Sequence, residues 1–275
     1  MIDEEHGSID YEERGHGPTV VFVPGSCSTG AAWRPVISRL EGNYRCVTTS
    51  LLGYGGTTER RASLLTDISD EAEIVEAVVR RAGGPVHLVG HSFGGVAALA
   101  VALRNRVPLL SLVILEAPAV ELLRHTKDWE HYCAFRDMTG NYFAAHYAGE
   151  PEAIASMIDF YGGPGTFASW PERVRSYAVK TTPTNILDWA DAYGFSLTAA
   201  RLRAIDIPTL IMRGGASHPA MLRTNELLGR FIGGASVVTV EGAAHFMINT
   251  HPDEVARIIA RELDRSELHR QSIAA

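Results

Sequence analysis

Short apolar, β-branched runs alternate along the chain with longer stretches in which apolar residues recur at helical spacing. Thr19–Val23 is the first such run and stops at Pro24-Gly25. Gly30–Leu40 predicts a helix, with Trp33, Val36, Ile37 and Leu40 on one face, and Tyr44–Thr49 predicts a second short strand. Ser69–Arg81 places Ile74, Val75, Val78 and Val79 at helical spacing. Its acidic residues lie at the start and its arginines at the end, as the helix dipole favours. After Gly83-Gly84-Pro85 come a strand over Val86–Gly90, a helix over Phe93–Asn105 and a buried strand over Leu109–Leu115. The same rhythm returns near the end: strand Pro208–Met212, helix Ala220–Phe231, strand Ser236–Val240 and helix Pro252–Leu263. Strands separated by helices predict an α/β fold, with a mostly parallel central sheet covered by helices on both faces.

Between Pro118 and Asp206 the rhythm breaks into helical fragments split by Gly140, Gly149-Glu150-Pro151, Gly162-Gly163-Pro164-Gly165 and Pro171. The expected organisation is therefore a core formed by residues 1–117 and 207–275, with residues 118–206 inserted as a helical cap. Such an insertion leaves and re-enters beside the carboxyl ends of strands, where open α/β sheets hold their ligands. Composition sharpens this picture. Of the 22 aromatic residues, 14 fall within 118–206. Most must form the cap's own core, and the remainder are expected to line a pocket for a small hydrophobic substrate, aromatic ones included.

Charge and cysteine content narrow the partners. With 25 basic and 32 acidic residues the net charge is −7, which argues against nucleic acid. The pairs Arg60-Arg61 and Arg80-Arg81 read as solvated loop and helix-end residues. Three cysteines (Cys27, Cys46, Cys133) are too few and scattered for a disulfide framework or a thiolate metal cage. Met1–His6 is acidic and lacks the apolar stretch of a signal peptide, and no window approaches ~18 consecutive apolar residues. The expectation is a cytoplasmic monomer or homodimer without membrane, metal or cofactor. Only two lysines occur, Lys127 and Lys180, and neither lies near the core's strand ends, which argues against Schiff-base chemistry.

Gly90-His91-Ser92-Phe93-Gly94 is a G-x-S-x-G motif between a predicted strand and a predicted helix. A nucleophile needs that sharp turn, which lifts the serine oxygen clear of the sheet while the glycines avoid clashes. The helix N-terminus supplies free N–H groups where an oxyanion would form. A dinucleotide fingerprint fails because Ser92 stands where glycine is required, and a P-loop fails for want of Gly-Lys-Ser/Thr.

On this motif and the surrounding pattern the chain resembles the α/β-hydrolase family over nearly its whole length. Val20–Gly25 is similar to the family's first core strand, with Pro24 where histidine is usual, and Leu52-Gly53-Tyr54-Gly55 is similar to its R-G-x-G turn, with Ser50 where aspartate is common. The resemblance implies Ser92 as nucleophile and the backbone N–H groups of Ser26 and Phe93 as oxyanion donors. It implies His245 as base, since Gly242-Ala243-Ala244-His245 follows the last strand. His91 is expected to shape the turn, and His218, His251 and His269 to lie at the surface. The family's usual acid position corresponds to Ser217, which cannot carry the charge. The alternative position, after the strand preceding the cap, holds Glu116, with Asp188 and Asp191 as weaker candidates.

The implied activity is hydrolysis of an ester, thioester or activated carbon–carbon bond through an acyl-enzyme. Ser92 argues against haloalkane dehalogenase and epoxide hydrolase chemistry, which need aspartate at the elbow. Phe246 argues against plant-type cyanohydrin lyases, which carry lysine there. Two alternatives stay open. One is a cofactor-free oxygenase of the same fold acting on a heteroaromatic substrate, which this chain resembles in Pro24-Gly25-Ser26-Cys27, in His245-Phe246 and in the acid position. The other is a non-catalytic ligand receptor.

Overall fold

The structure is a computed structural model describing residues 1–4, 7–40 and 42–274, without the side chains of Glu4 and of residues 269–274. His6 and the side chain of His269 lie outside the described residues.

Among the described residues, nine strands form two sheets. β1 (Ile2–Glu4) and β2 (Gly7–Ile9) make an antiparallel hairpin. The remaining seven are β3 (Glu12–Arg14), β4 (Thr19–Val23), β5 (Arg45–Thr48), β6 (Val86–His91), β7 (Leu109–Leu115), β8 (Thr209–Gly214) and β9 (Ser236–Val240). They build one sheet in the order β3-β5-β4-β6-β7-β8-β9, parallel except at β3. β6 is buried at every position, as expected of a central strand covered on both faces. β3 escapes the sequence reading because its residues are polar, and the hairpin because each of its three-residue strands carries only one large apolar residue, Ile2 and Ile9. All three residues of β3 are exposed.

Register brings the chemistry-bearing loops together. Val23 pairs with Gly90, His91 with Leu115, Leu115 with Met212, and Gly214 with Val240. The carboxyl ends of β4, β6, β7, β8 and β9 therefore open along one edge of the sheet. Ser26, Ser92, Glu116 and His245 all follow those ends.

Two helices differ from expectation. Gly30–Leu40 is a 3-10 turn over Gly30–Trp33 followed by a short α-helix, Arg34–Ile37, with Pro35 in its first turn. The last helix runs Pro252–Ala274, well beyond Leu263. Its extension is charged and amphipathic: Arg265 pairs with Glu262, and Ser266 remains buried.

Between β7 and β8 the chain forms helices only, from Val120–Thr126 to Ala199–Leu202. Their buried residues Phe135, Tyr142, Met157 and Trp189 belong to the same hydrophobic cluster as Val21, Leu88 and Leu112 of the sheet. Apolar contact thus runs unbroken from the sheet into the inserted helices. Trp129 and Tyr147 are instead exposed.

Candidate active site

Ser92 sits between β6 and the helix Phe93–Arg104 at φ 55° and ψ −128°. This is a strained conformation for a residue with a side chain, of the kind a nucleophile elbow uses. The elbow presses against the loop after β4. A Cβ on Gly94 would lie 2.3 Å from the Pro24 carbonyl oxygen, and one on Gly25 would lie 2.8 Å from Ser92 Cβ. Only glycines permit that approach, which brings Ser26 beside Ser92. Among the described residues, no protein acceptor takes the backbone N–H of Ser26 or Phe93. Both residues line one pocket with Ser92 and His245.

His245 Nε2 lies 2.9 Å from Ser92 Oγ, and its Nδ1 lies 3.4 Å from Glu116 Oε2. Glu116 Oε1 accepts a 2.9 Å hydrogen bond from the Gly214 N–H, which fixes the carboxylate from the far side. Glu116 takes φ 51°, an uncommon conformation for a non-glycine residue, and is fully buried. Ser217 is also buried, and its Oγ has no hydrogen-bond partner among the described residues. The last residue of β8 thus supplies a backbone donor to the Glu116 carboxylate. Glu116 itself follows the end of β7.

His91 does more than shape the turn. Its Nε2–H donates to the His245 carbonyl oxygen at 2.8 Å, tying the elbow to the loop that carries the histidine. Burial pushes the His91 pKa down to about 3, so the ring stays neutral beside His245. On the other face, Tyr161 stacks on His245 with ring centroids 4.2 Å apart, and burial raises its phenol well above the ordinary range. His218 is half-buried and not simply a surface residue. Its Nδ1 accepts from the Ala220 N–H at the start of the helix Pro219–Phe231, and its ring stacks on Phe160 at 4.0 Å.

The largest departure from expectation is Arg61. It is not a solvated loop residue, because its side chain is 0% exposed. Its guanidinium meets Asp188 and Asp191 at 2.9 Å, Glu59 at 2.8 Å and Glu71 at 3.3 Å. Asp188 and Asp191 arrive from the helix Thr182–Gly194, more than a hundred residues away, so no local pattern could reveal the burial. Asp188 is consequently committed elsewhere than to His245. Its Oδ2 accepts from Ser26 Oγ at 2.5 Å and from Tyr54 OH at 2.6 Å, while Oδ1 accepts from Arg61. This anchor holds the Ser26 loop to the inserted helices.

Burial raises the pKa of Asp188 and of Glu71, and pushes Asp191 up to about 6. Such carboxyls, held above their unfolded pKa values, are tolerated protonated. They lose stability as pH rises through the folded values. Arg61→Met removes the cation that opposes this. Urea unfolding at pH 7 is expected to register a loss of about 3–5 kcal/mol, the range for breaking a buried pair. The deficit should be smaller at pH 5, below the value of about 6 for Asp191, than at pH 8. Equal deficits at the two pH values would mean that the carboxylates are not its cause.

The pocket encloses about 420 Å3 of atom-free space, its mouth included. Tyr161 and Trp189 are the inserted segment's rings in its wall, joined by Met157, Ile158 and Ala192 and, from the core, by Phe246. A model of the alpha/beta hydrolase family matches residues 20–258. The chain belongs to that family.

Among relatives, a pimeloyl-[acyl-carrier protein] methyl ester esterase of Vibrio vulnificus (strain YJ016) is 31% identical over 97 residues, covering 35% of this chain and 36% of the relative. Haloalkane dehalogenase 2 of Mycobacterium tuberculosis (strain ATCC 25618 / H37Rv) is 29% identical over 105 residues, covering 38% and 36%. Each match thus spans little more than a third of the relative's length. The crystal structure of an alpha/beta hydrolase from Sphaerobacter thermophilus DSM 20745 is 26% identical, with TM-score 0.64 and coverage of 93% of this chain and 96% of that one. Among the described residues, no helix is long and apolar enough to cross a membrane.

Proposed function

We propose that this protein is a serine hydrolase that cleaves an ester, thioester or activated carbon–carbon bond of a small, largely hydrophobic substrate. The observation that carries the reading is Ser92 Oγ at 2.9 Å from His245 Nε2, held on a left-handed elbow. Ser92 Oγ attacks the carbonyl carbon while His245 Nε2 takes the hydroxyl proton. The N–H groups of Ser26 and Phe93 bind the oxyanion, and Glu116 keeps the His245 proton on Nδ1. Collapse expels the leaving group, which receives the proton from His245. Water then adds to the acyl-enzyme with His245 again as base, and the acid product departs.

The inserted helices act as a cap in this reading, with Tyr161 and Trp189 against the substrate. Similarity to a dehalogenase does not extend to its reaction. Displacement of halide by a serine would leave an ether, which the Ser–His machinery has no carbonyl to open. The esterase relative favours a carbonyl substrate, and the largely apolar pocket favours a hydrophobic one.

A fluorophosphonate probe tests the nucleophile directly. Intact-protein and peptide mass spectrometry should find one adduct, on Ser92. Labelling elsewhere, or no labelling, would sink the reading.

The position of Glu116 at the end of β7 favours one second reading, the cofactor-free oxygenase. In it the His245–Glu116 pair deprotonates a heteroaromatic substrate and Ser92 only hydrogen-bonds to it. Oxygen uptake with heteroaromatic substrates distinguishes the two.

A further inference from the structure

The pocket wall is not uniformly apolar. Asn185 and Asp188 lie one turn apart on the helix Thr182–Gly194, and both line the cavity together with Ser26. Their hydrogen-bonding states differ. Both oxygens of Asp188 are engaged, accepting from Ser26, Tyr54 and Arg61. Asn185 is 2% exposed, and its Oδ1 is buried with no partner among the described residues.

A buried amide oxygen without a partner carries the cost of lost hydration with nothing in return. The fold has no evident use for it at this position. Asparagine is a mediocre helix former, and an apolar side chain of the same size would fit among Met157, Ile158 and Trp189 at lower cost. What an asparagine adds is a carboxamide in the wall of the pocket. Ser26 tells in the same direction. Its hydroxyl proton is committed to Asp188, so toward the cavity its oxygen can only accept. Two groups of the polar wall thus call for a donor.

We infer that Asn185 is a specificity-determining residue whose Oδ1 accepts a hydrogen bond from a hydroxyl or N–H group carried by the substrate, away from the carbonyl that reacts. The inference rests on the hydrolase reading for its kinetic form. It narrows the substrate class from any small hydrophobic acyl compound to one bearing a hydrogen-bond donor on an otherwise apolar body. A site built to pair with such a group discriminates strongly against analogues that lack it, because the buried acceptor is then stranded.

The test uses the full chain and p-nitrophenyl esters of benzoic acid, the three hydroxybenzoic acids and the matching methoxybenzoic acids. In the wild type, the best hydroxybenzoate isomer should exceed benzoate and its methoxy counterpart at least tenfold in kcat/KM, with the difference carried by KM. In Asn185→Leu that ratio should fall to within twofold. No preferred hydroxy isomer in the wild type, or an unchanged ratio in the variant, overturns the inference. Because the substitution removes a partnerless polar atom, the Tm of Asn185→Leu should be no lower than that of the wild type. A fall of several degrees would assign the side chain to the fold and overturn the inference as well.

Thermal shift of Ser92→Ala and of Ser92→Ala/Asn185→Leu with the same esters reads binding without chemistry. If the wild type hydrolyses none of the esters while Ser92→Ala still prefers the hydroxybenzoate through Asn185, the hydrolase reading fails and the recognition stands. If hydrolysis proceeds without any hydroxyl preference, the reverse holds.

Discussion

Ser92→Ala is expected to lower hydrolysis of short p-nitrophenyl esters at least a thousand-fold, with the folded structure intact. The size follows from what the oxygen does. Without it no acyl-enzyme forms, and His245 has no proton to accept during attack. The remaining elements act as a unit with the nucleophile, so little can compensate. The rate that survives comes from the oxyanion donors and substrate binding, about 10³–10⁴ above water in comparable triads. Stability should change little, because Ser92 is held by backbone bonds that alanine keeps: its N–H to the Leu115 carbonyl, and its carbonyl to the N–H groups of Gly95 and Val96. The positive φ is equally awkward for alanine, so the substitution does not relieve it. Residual activity within tenfold of the wild type would remove the acyl-enzyme from consideration. Retained oxygen uptake with a heteroaromatic substrate would then favour the oxygenase reading.

How far the sequence reveals this site depends on the range over which each residue is determined. The strands Leu109–Leu115 and Ser236–Val240 have the bounds their apolar runs suggest, and the Ser92 elbow follows from a strand, two glycines and a helix that are all local. At Ser50, which departs from the family's usual aspartate, no local cue exists: Asp10 approaches from the N-terminal segment, its Oδ2 accepting from Ser50 Oγ and the Gly56 N–H.

Arg61 is the opposite case. An Arg-Arg pair in a polar stretch looks solvated, and only partners on a helix far along the chain bury it. Asp188, Asp191 and Asn185 face inward from one helix, a polar face that hydrophobic patterning assigns to solvent. Their roles become visible only once the helix is seated on the sheet's open end. The same seating turns Tyr161 from one ring among many into the partner of His245.

Glu116→Gln is expected to reduce kcat at least a hundredfold while leaving KM nearly unchanged. The change is isosteric, and the Gly214 N–H can still donate to the side-chain oxygen, so packing at the end of β7 should persist. The effect on His245 is through its tautomer. A carboxylate facing Nδ1 keeps the proton there and leaves Nε2 free to accept from Ser92. The amide that replaces it presents N–H groups to Nδ1 and favours the tautomer with the proton on Nε2, where it blocks the base. It also removes the negative charge that balances the imidazolium formed during attack. In a comparable triad this exchange costs about 10⁴ in kcat, and the 3.4 Å separation here is a reason to expect a smaller effect. Steady-state kinetics on the same esters, with thermal unfolding as control, measures both. Among the described residues, no other carboxylate is placed to substitute, since Ser217 cannot ionise and Asp188 is held by Ser26, Tyr54 and Arg61. A near-normal kcat would therefore mean that His245 works without an acid partner, and that Glu116 serves the fold through Gly214 alone.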